Sequence, residues 1–118
     1  MAITNALASV AVNDLRSAAQ WYEKLFGRPA DSQPMPEVSE WKFERGGWLQ
    51  VYENRQRAGS GSVTLAVSDL EEQIASLESL GLDAGPTIVG KVVKVVMIKD
   101  PDGNSIAFAE ATDPRIGQ

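Results

Sequence analysis

The run Ser9-Val10-Ala11-Val12-Asn13-Asp14-Leu15 recurs 55 positions later as Thr64-Leu65-Ala66-Val67-Ser68-Asp69-Leu70, and each copy leads from a strand-like run into a helical pattern that stops at a glycine, Gly27 or Gly81. A chain that repeats strand, capping aspartate and helix in the same order is built to fold as two like modules. A half of about 60 residues offers one sheet face and one helix, too little to bury a sufficient core alone. Two such halves therefore make one domain over residues 1–118, with modules at about 1–55 and 62–113.

Residues 6–12 read as a strand, with Ala8, Val10 and Val12 on one face and Leu7, Ser9 and Ala11 on the other. Asp14 is placed to cap a helix whose apolar residues Leu15, Ala18, Ala19, Tyr22, Leu25 and Phe26 keep helical spacing, with Gly27 as the stop. Pro34 and Pro36 confine any strand around them to a short or edge position. Residues 38–44 and 48–52 read as a hairpin closed by Arg45-Gly46-Gly47. The polar, glycine-bearing stretch 53–61 is the connector. The order then restarts with a strand at 62–67 and a helix at about 69–80, capped by Asp69 with Glu72 in capping-box position. Strands at 84–89, 92–99 and 104–110 follow, the last two joined by Asp100-Pro101-Asp102-Gly103-Asn104.

These residues resemble the vicinal oxygen chelate superfamily, which includes glyoxalase I, bleomycin-resistance proteins, extradiol dioxygenases and fosfomycin-resistance enzymes. The resemblance is carried by Val12-Asn13-Asp14-Leu15 after the first strand, Trp21-Tyr22 ahead of Leu25-Phe26-Gly27, and the DPDGN turn at 100–104. It implies an α+β fold: two tandem βαβββ modules forming a curved mixed sheet, helices outside and a ligand cleft inside. It also implies a homodimer. In metal-using members, one ligand comes from the first strand of each module and one from the last. Those positions here are Leu7, Gln50, Ser62 and Ala107. Leucine, serine and alanine side chains with one neutral amide do not make a divalent-cation site. The chain also contains neither histidine nor cysteine. The expectation is a protein without a metal or other cofactor, in which the metal-dependent reactions of the superfamily are improbable.

Strand alternation assigns the rest of the face without help from the resemblance. Ser9, Ser62, Thr64 and Ala107 share the inward side with Leu7, leaving a surface of small residues with a few polar handles, as a ligand pocket requires. On the hairpin, a loop at 45–47 puts Trp41, Phe43, Leu49 and Val51 toward the helices and Glu40, Lys42, Glu44, Trp48, Gln50 and Tyr52 toward the cleft. A loop at 46–47 reverses the first strand. In either register Trp48, Gln50 and Tyr52 stand together, a wall suited to stacking and cation–π attraction. The charges at Glu40, Lys42 and Glu44 read first as a solvated face, and secondly as acid–base groups. Gly59-Ser60-Gly61 lacks the strand, lysine and helix of a phosphate loop.

A net charge of −5 opposes binding to nucleic acid and favours a cationic ligand. No apolar stretch is long enough to span a bilayer, and Met1-Ala2-Ile3-Thr4-Asn5 has no positive region ahead of an apolar run, so neither membrane insertion nor a secretory address is expected. Absence of cysteine fits a cytoplasmic location. The reading that follows is a metal-independent binder of a small organic molecule, planar or cationic and antibiotic-like, acting by sequestration as in the bleomycin-resistance branch. The alternatives are a metal-free enzyme using Glu40, Glu44 or Lys42 to carry protons, and an assembly module whose cleft a protein partner fills.

Overall fold

The computed structural model describes residues 2–112; the expected end of the second module at residue 113 lies outside the described residues. The element order is β1 (Leu7–Val12), α1 (Leu15–Phe26), β2 (Ser32–Met35), β3 (Val38–Lys42), β4 (Trp48–Glu53), β5 (Ser62–Ala66), α2 (Leu70–Ser79), β6 (Ile88–Val89), β7 (Val93–Lys99) and β8 (Ser105–Ala111). The duplication in sequence is a duplication in topology. The first sheet has the order β1-β4-β3-β2 and the second β5-β8-β7-β6, each with its first strand parallel to its last and the other neighbours antiparallel. The chain divides into two compact units, residues up to Gly61 together with Asp100–Asn104, and Ser62–Lys99 together with the chain from Ser105.

In the first unit α1 packs on β3 and β4. Its buried residues Leu15, Ala18, Tyr22 and Leu25 follow a single stripe and meet Val10, Val12, Trp41, Leu49 and Val51, all fully or nearly fully buried. Aromatic rings dominate this core. The Tyr22, Phe26 and Trp41 centroids lie 5.6–6.1 Å apart, and Phe43 meets Phe26 edge-on at 5.4 Å. The buried Trp41 indole satisfies its N–H on the Arg28 carbonyl at 3.1 Å. β2 lies at the sheet edge, where the missing N–H of Pro34 costs no ladder bond.

The β3–β4 hairpin differs in detail from expectation. Its loop is Glu44-Arg45-Gly46, closed by Phe43 N–H to Gly47 O at 2.8 Å, with Gly46 at φ 95°. Trp41 therefore pairs with Leu49 and Glu40 with Gln50. This is two residues away from the register of a 45–47 loop, and a shift of two preserves every face. Only Glu44 changes role, because β3 ends at Lys42 and Glu44 lies in the turn.

The second unit repeats the plan with aliphatic material. Leu70 and Leu77 of α2 are buried, as are Val63, Val96, Ile98, Ile106 and Phe108 on the facing side of the sheet. β6 is shorter than expected. Gly85 at φ 64° and Pro86 precede it, and the Gly90 N–H turns back to Val93 O, leaving two residues to pair.

Both helices begin on the aspartate the sequence nominates. Asp14 accepts from Ser17 N at 3.1 Å and Asp69 from Glu72 N at 3.1 Å. The hydrogen bonds to the Ser17 backbone and hydroxyl hold the Asp14 carboxyl below its usual range. A second carboxylate at each helix start was not foreseen. Glu53, the last residue of β4, accepts the Leu15 N–H at 3.1 Å, and Glu110, near the end of β8, accepts the Leu70 N–H at 2.8 Å. Each central strand thus reaches over to satisfy a helix amide that has no intrahelical partner.

The DPDGN turn, which joins β7 to β8 along the chain, is built into the first unit. Asp100, 4% exposed, accepts from Tyr22 OH at 2.7 Å, from the Asp102 and Asn104 amides, and from Asn104 Nδ2 at 2.8 Å. Asn104 donates in turn to Ala11 O and accepts from Gly61 N–H, both at 2.8 Å. Burial, followed by the bond to Asp100, raises the Tyr22 phenol far above its ordinary range. The connector closes against this turn. A Cβ on Gly59 (φ 85°) would lie 2.2 Å from Asp102 O, so close packing accounts for this glycine.

Candidate ligand-binding face

α1 covers one side of the first sheet, and the other side carries the residues that alternation assigned to a ligand. Three cross-strand rows can be read directly from the register. Leu7, Trp48 and Lys42 form the first; Ser9, Gln50, Glu40 and Ser32 the second; Ala11, Tyr52 and Val38 the third. Trp48 and Tyr52 stand at the two outer rows of β4, roughly 13 Å apart along the strand, with Gln50 between them.

The middle row is a continuous hydrogen-bonded chain across four strands. Ser9 Oγ donates to Gln50 Oε1 at 3.1 Å, Gln50 Nε2 donates to Glu40 Oε2 at 2.5 Å, and Ser32 Oγ donates to Glu40 Oε1 at 3.0 Å. All three bonds point their hydrogens toward the Glu40 carboxylate, which is only 9% exposed. The expected solvated face is therefore corrected at Glu40: neutral donors take both its oxygens, as burying a carboxylate demands. This chain also fixes which way the Gln50 amide points, leaving one N–H and one carbonyl lone pair for any visitor.

Lys42 is exposed, and its Nζ lies 4.5 Å from the centroid of the Trp48 ring. Its backbone N–H is held by Asp31 Oδ2 at 2.7 Å, and Asp31 also pairs with Arg28. The Arg28 hydrogen bond, then the one from Lys42 N–H, holds the Asp31 carboxyl below the usual range. Ala11, on the inward face of β1, is buried, and its carbonyl is taken by Asn104.

Three expected site residues belong to the second unit. Ser62 and Thr64 are exposed on β5. Ala107 is 7% exposed, and its cross-strand neighbour Met97, 47% exposed, presents the larger side chain on the same face. Met97, with Val95 and Ile88 in register on the same side, was missed because the faces of β7 were not assigned from its β-branched run.

The four positions at which relatives hold a metal do not fit one here. Leu7 and Ala107 carry no donor, Ser62 carries one hydroxyl, and the Gln50 oxygen already accepts from Ser9. Among the described residues, no three His, Cys, Asp or Glu side chains group to hold an ion. A shallow groove of about 430 Å³ lies away from this face, by the start of α1, lined by Arg16, Gln20, Gln33, Pro36, Ser39 and Glu53 among others. It is open and mixed in polarity, and the ordered row of functional groups lies on the sheet face instead. No helix among the described residues is long and apolar enough to cross a membrane.

A sequence model of the Glyoxalase/Bleomycin resistance protein/Dioxygenase superfamily matches residues 4–108. No curated protein matches the chain. Among solved structures, a glyoxalase/bleomycin resistance protein from Catenulispora acidiphila DSM 44928 is 33% identical, with TM-score 0.81, over 92% of this chain and 98% of that one. TnmS3, an antibiotic binding protein from Streptomyces sp. CB03234, is 24% identical with TM-score 0.80, over 94% and 98%. A lactoylglutathione lyase from Agrobacterium tumefaciens is 18% identical with TM-score 0.74, over 91% and 92%. The last two similarities concern the fold.

Proposed function

We propose that this chain, which belongs to the Glyoxalase/Bleomycin resistance protein/Dioxygenase superfamily, is a metal-independent protein that sequesters a small planar or cationic, antibiotic-like molecule on the face of its first sheet opposite α1. The observation that carries this reading is the Ser9–Gln50–Glu40–Ser32 chain flanked by Trp48 and Tyr52. A ligand face needs flat apolar contact and a few polar groups held in place beforehand, and this row supplies both. TnmS3, an antibiotic binder of like fold, supports sequestration. The lyase of like fold is a reminder that chemistry in such folds follows the site residues, and here those residues are poor metal donors. A homodimer in the cytoplasm belongs to the same reading, the first supported by the superfamily resemblance and the second by the absence of cysteine.

Thermal-shift titration with planar and cationic antibiotics, with and without divalent metals, tests the proposal. Ligand at 100 times its Kd stabilises by about 2.7 kcal/mol. A stabilisation that Trp48→Ala abolishes is the expected result. A comparable rise with stoichiometric nickel, zinc or manganese overturns metal independence. A second reading, a metal-free enzyme, draws on the buried position of Glu40. Turnover of a bound compound, lost in Glu40→Gln with binding retained, would favour it.

A further inference from the structure

Trp48 is the large aromatic surface in the first row of this face, and the protein has placed its own cation against it. Lys42 pairs with Trp48 across β3 and β4, and its Nζ lies 4.5 Å from the ring centroid. An ammonium in that position already satisfies the quadrupole of the indole face. A cationic ligand would have to displace it or sit beside a like charge. Toward β1 the register neighbour of Trp48 is Leu7, an uncharged and half-exposed side chain that brings no competing charge.

Lys42 spends little of its charge elsewhere, in an attraction to Asp31 weaker than that of Arg28. Among the described residues it forms no ion pair. Asp31 is engaged by Arg28, and Glu40, two residues away on the same face, has both oxygens occupied by Gln50 and Ser32. We infer that the Trp48 end of the face selects planar aromatic molecules bearing an anionic oxygen (a phenolate, enolate or carboxylate), with the ring on the indole and the oxygen at Lys42 Nζ. This rests on the binding function proposed above and narrows its ligand from planar or cationic to planar and anionic. The chain's net charge of −5 works against it at long range, so a preference for an anion has to come from the local ammonium.

The test is titration, followed by tryptophan fluorescence and calorimetry, with two tricyclic probes of opposite charge, anthraquinone-2-carboxylate and proflavine. The carboxylate binds more tightly to the native protein. Lys42→Met, which keeps the aliphatic stem at an exposed site, weakens it roughly three- to tenfold and strengthens proflavine, while Lys42→Arg retains most of the preference. Tighter binding of proflavine to the native protein, or a carboxylate affinity indifferent to Lys42→Met, overturns the inference. If both probes bind equally and both are lost in Trp48→Ala, the binding function stands and the charge selection fails. If neither binds, both fail.

Discussion

The two units share an architecture and differ in what fills it. Seven of the eight aromatic residues (Trp21, Tyr22, Phe26, Trp41, Phe43, Trp48 and Tyr52) belong to the first, and only Phe108 to the second. The helix of the first unit packs on a ring cluster and that of the second on valine and isoleucine with a single ring, Phe108. The face of the first sheet opposite α1 carries a carboxylate and an amide hydrogen-bonded to hydroxyls, with an ammonium beside them, whereas the corresponding face of the second sets Ile88, Val95 and Met97 beside a Ser62–Ser105–Lys99 row with no carboxylate or amide. Duplication thus preserved what a βαβββ module needs in order to fold, the capping aspartate and the carboxylate on the helix amide. It left the open faces free to diverge. The linked carboxylate and amide stand on one copy.

The strongest challenge to this contrast is in the cores. Trp41→Ala removes a fully buried indole with its ring contacts and its bond to Arg28 O, and is expected to cost about 3–5 kcal/mol; Leu77→Ala in the second unit is expected to cost toward the lower part of about 2–5 kcal/mol. Chemical denaturation ranks them, and a larger loss for Leu77→Ala would invert the comparison. All three tryptophans lie in the first unit, so fluorescence reports on it alone. Because the DPDGN turn connects β7 to β8 yet is built into the first unit, the fluorescence and circular-dichroism transitions of Leu77→Ala should coincide. Separate transitions would show the units unfolding independently.

A smaller effect belongs to the clamp that the first unit alone possesses. The Tyr22 phenol is raised in the folded protein and ordinary, near 10, when unfolded. Its contribution is therefore fully present below about pH 10 and is lost as pH rises beyond that, by up to about 1.4 kcal/mol per pH unit. Tyr22→Phe should cost about 1–2 kcal/mol at neutral pH, leaving Asp100 with its three other donors, and should remove this part of the alkaline slope. Equal slopes for the two proteins between pH 9.5 and 11, in denaturation at about half-unit steps, would count against the clamp.

The smallest effect tests what the two units share. Glu53→Gln and Glu110→Gln each replace a charged acceptor on a helix amide by a neutral one, and should each cost about 0.5–1 kcal/mol. Glu110 also pairs with Lys94 at 3.5 Å, so its loss should exceed that of Glu53 by no more than roughly 1 kcal/mol. A larger difference would mean that only one copy retains the device.

Much of the fold was legible because its signals are local. Apolar spacing in Leu15, Ala18, Tyr22 and Leu25, aspartate at 14 and 69, and glycine at 27 and 81 act within a few residues of one another, and the elements form where they place them. The faces of the hairpin were legible too, although its loop was placed one residue late, because a register error of two leaves side chains on the same side. Glu40 was misjudged as solvated because its partners, Ser32 and Gln50, are 8 and 10 residues away and meet it only through strand pairing. Alternation places Ala107 on the inward face, while only the register shows the exposed Met97 beside it.

The sequence by itself determined a duplicated βαβββ chain, the residues that begin and end its helices, the side of β1, β3, β4, β5 and β8 that turns from the helix, and a set of side chains unsuited to hold a metal ion. These follow from periodicity and from donor chemistry, which are properties of residue type and spacing. Only the tertiary structure decided that a hydrogen-bonded chain centred on the buried Glu40 crosses four strands, that Lys42 covers Trp48, and that a turn between β7 and β8 locks onto Tyr22 78 positions away. Such polar partners are chosen by register and burial, because a donor or acceptor taken out of water must bond to whichever group the fold brings beside it.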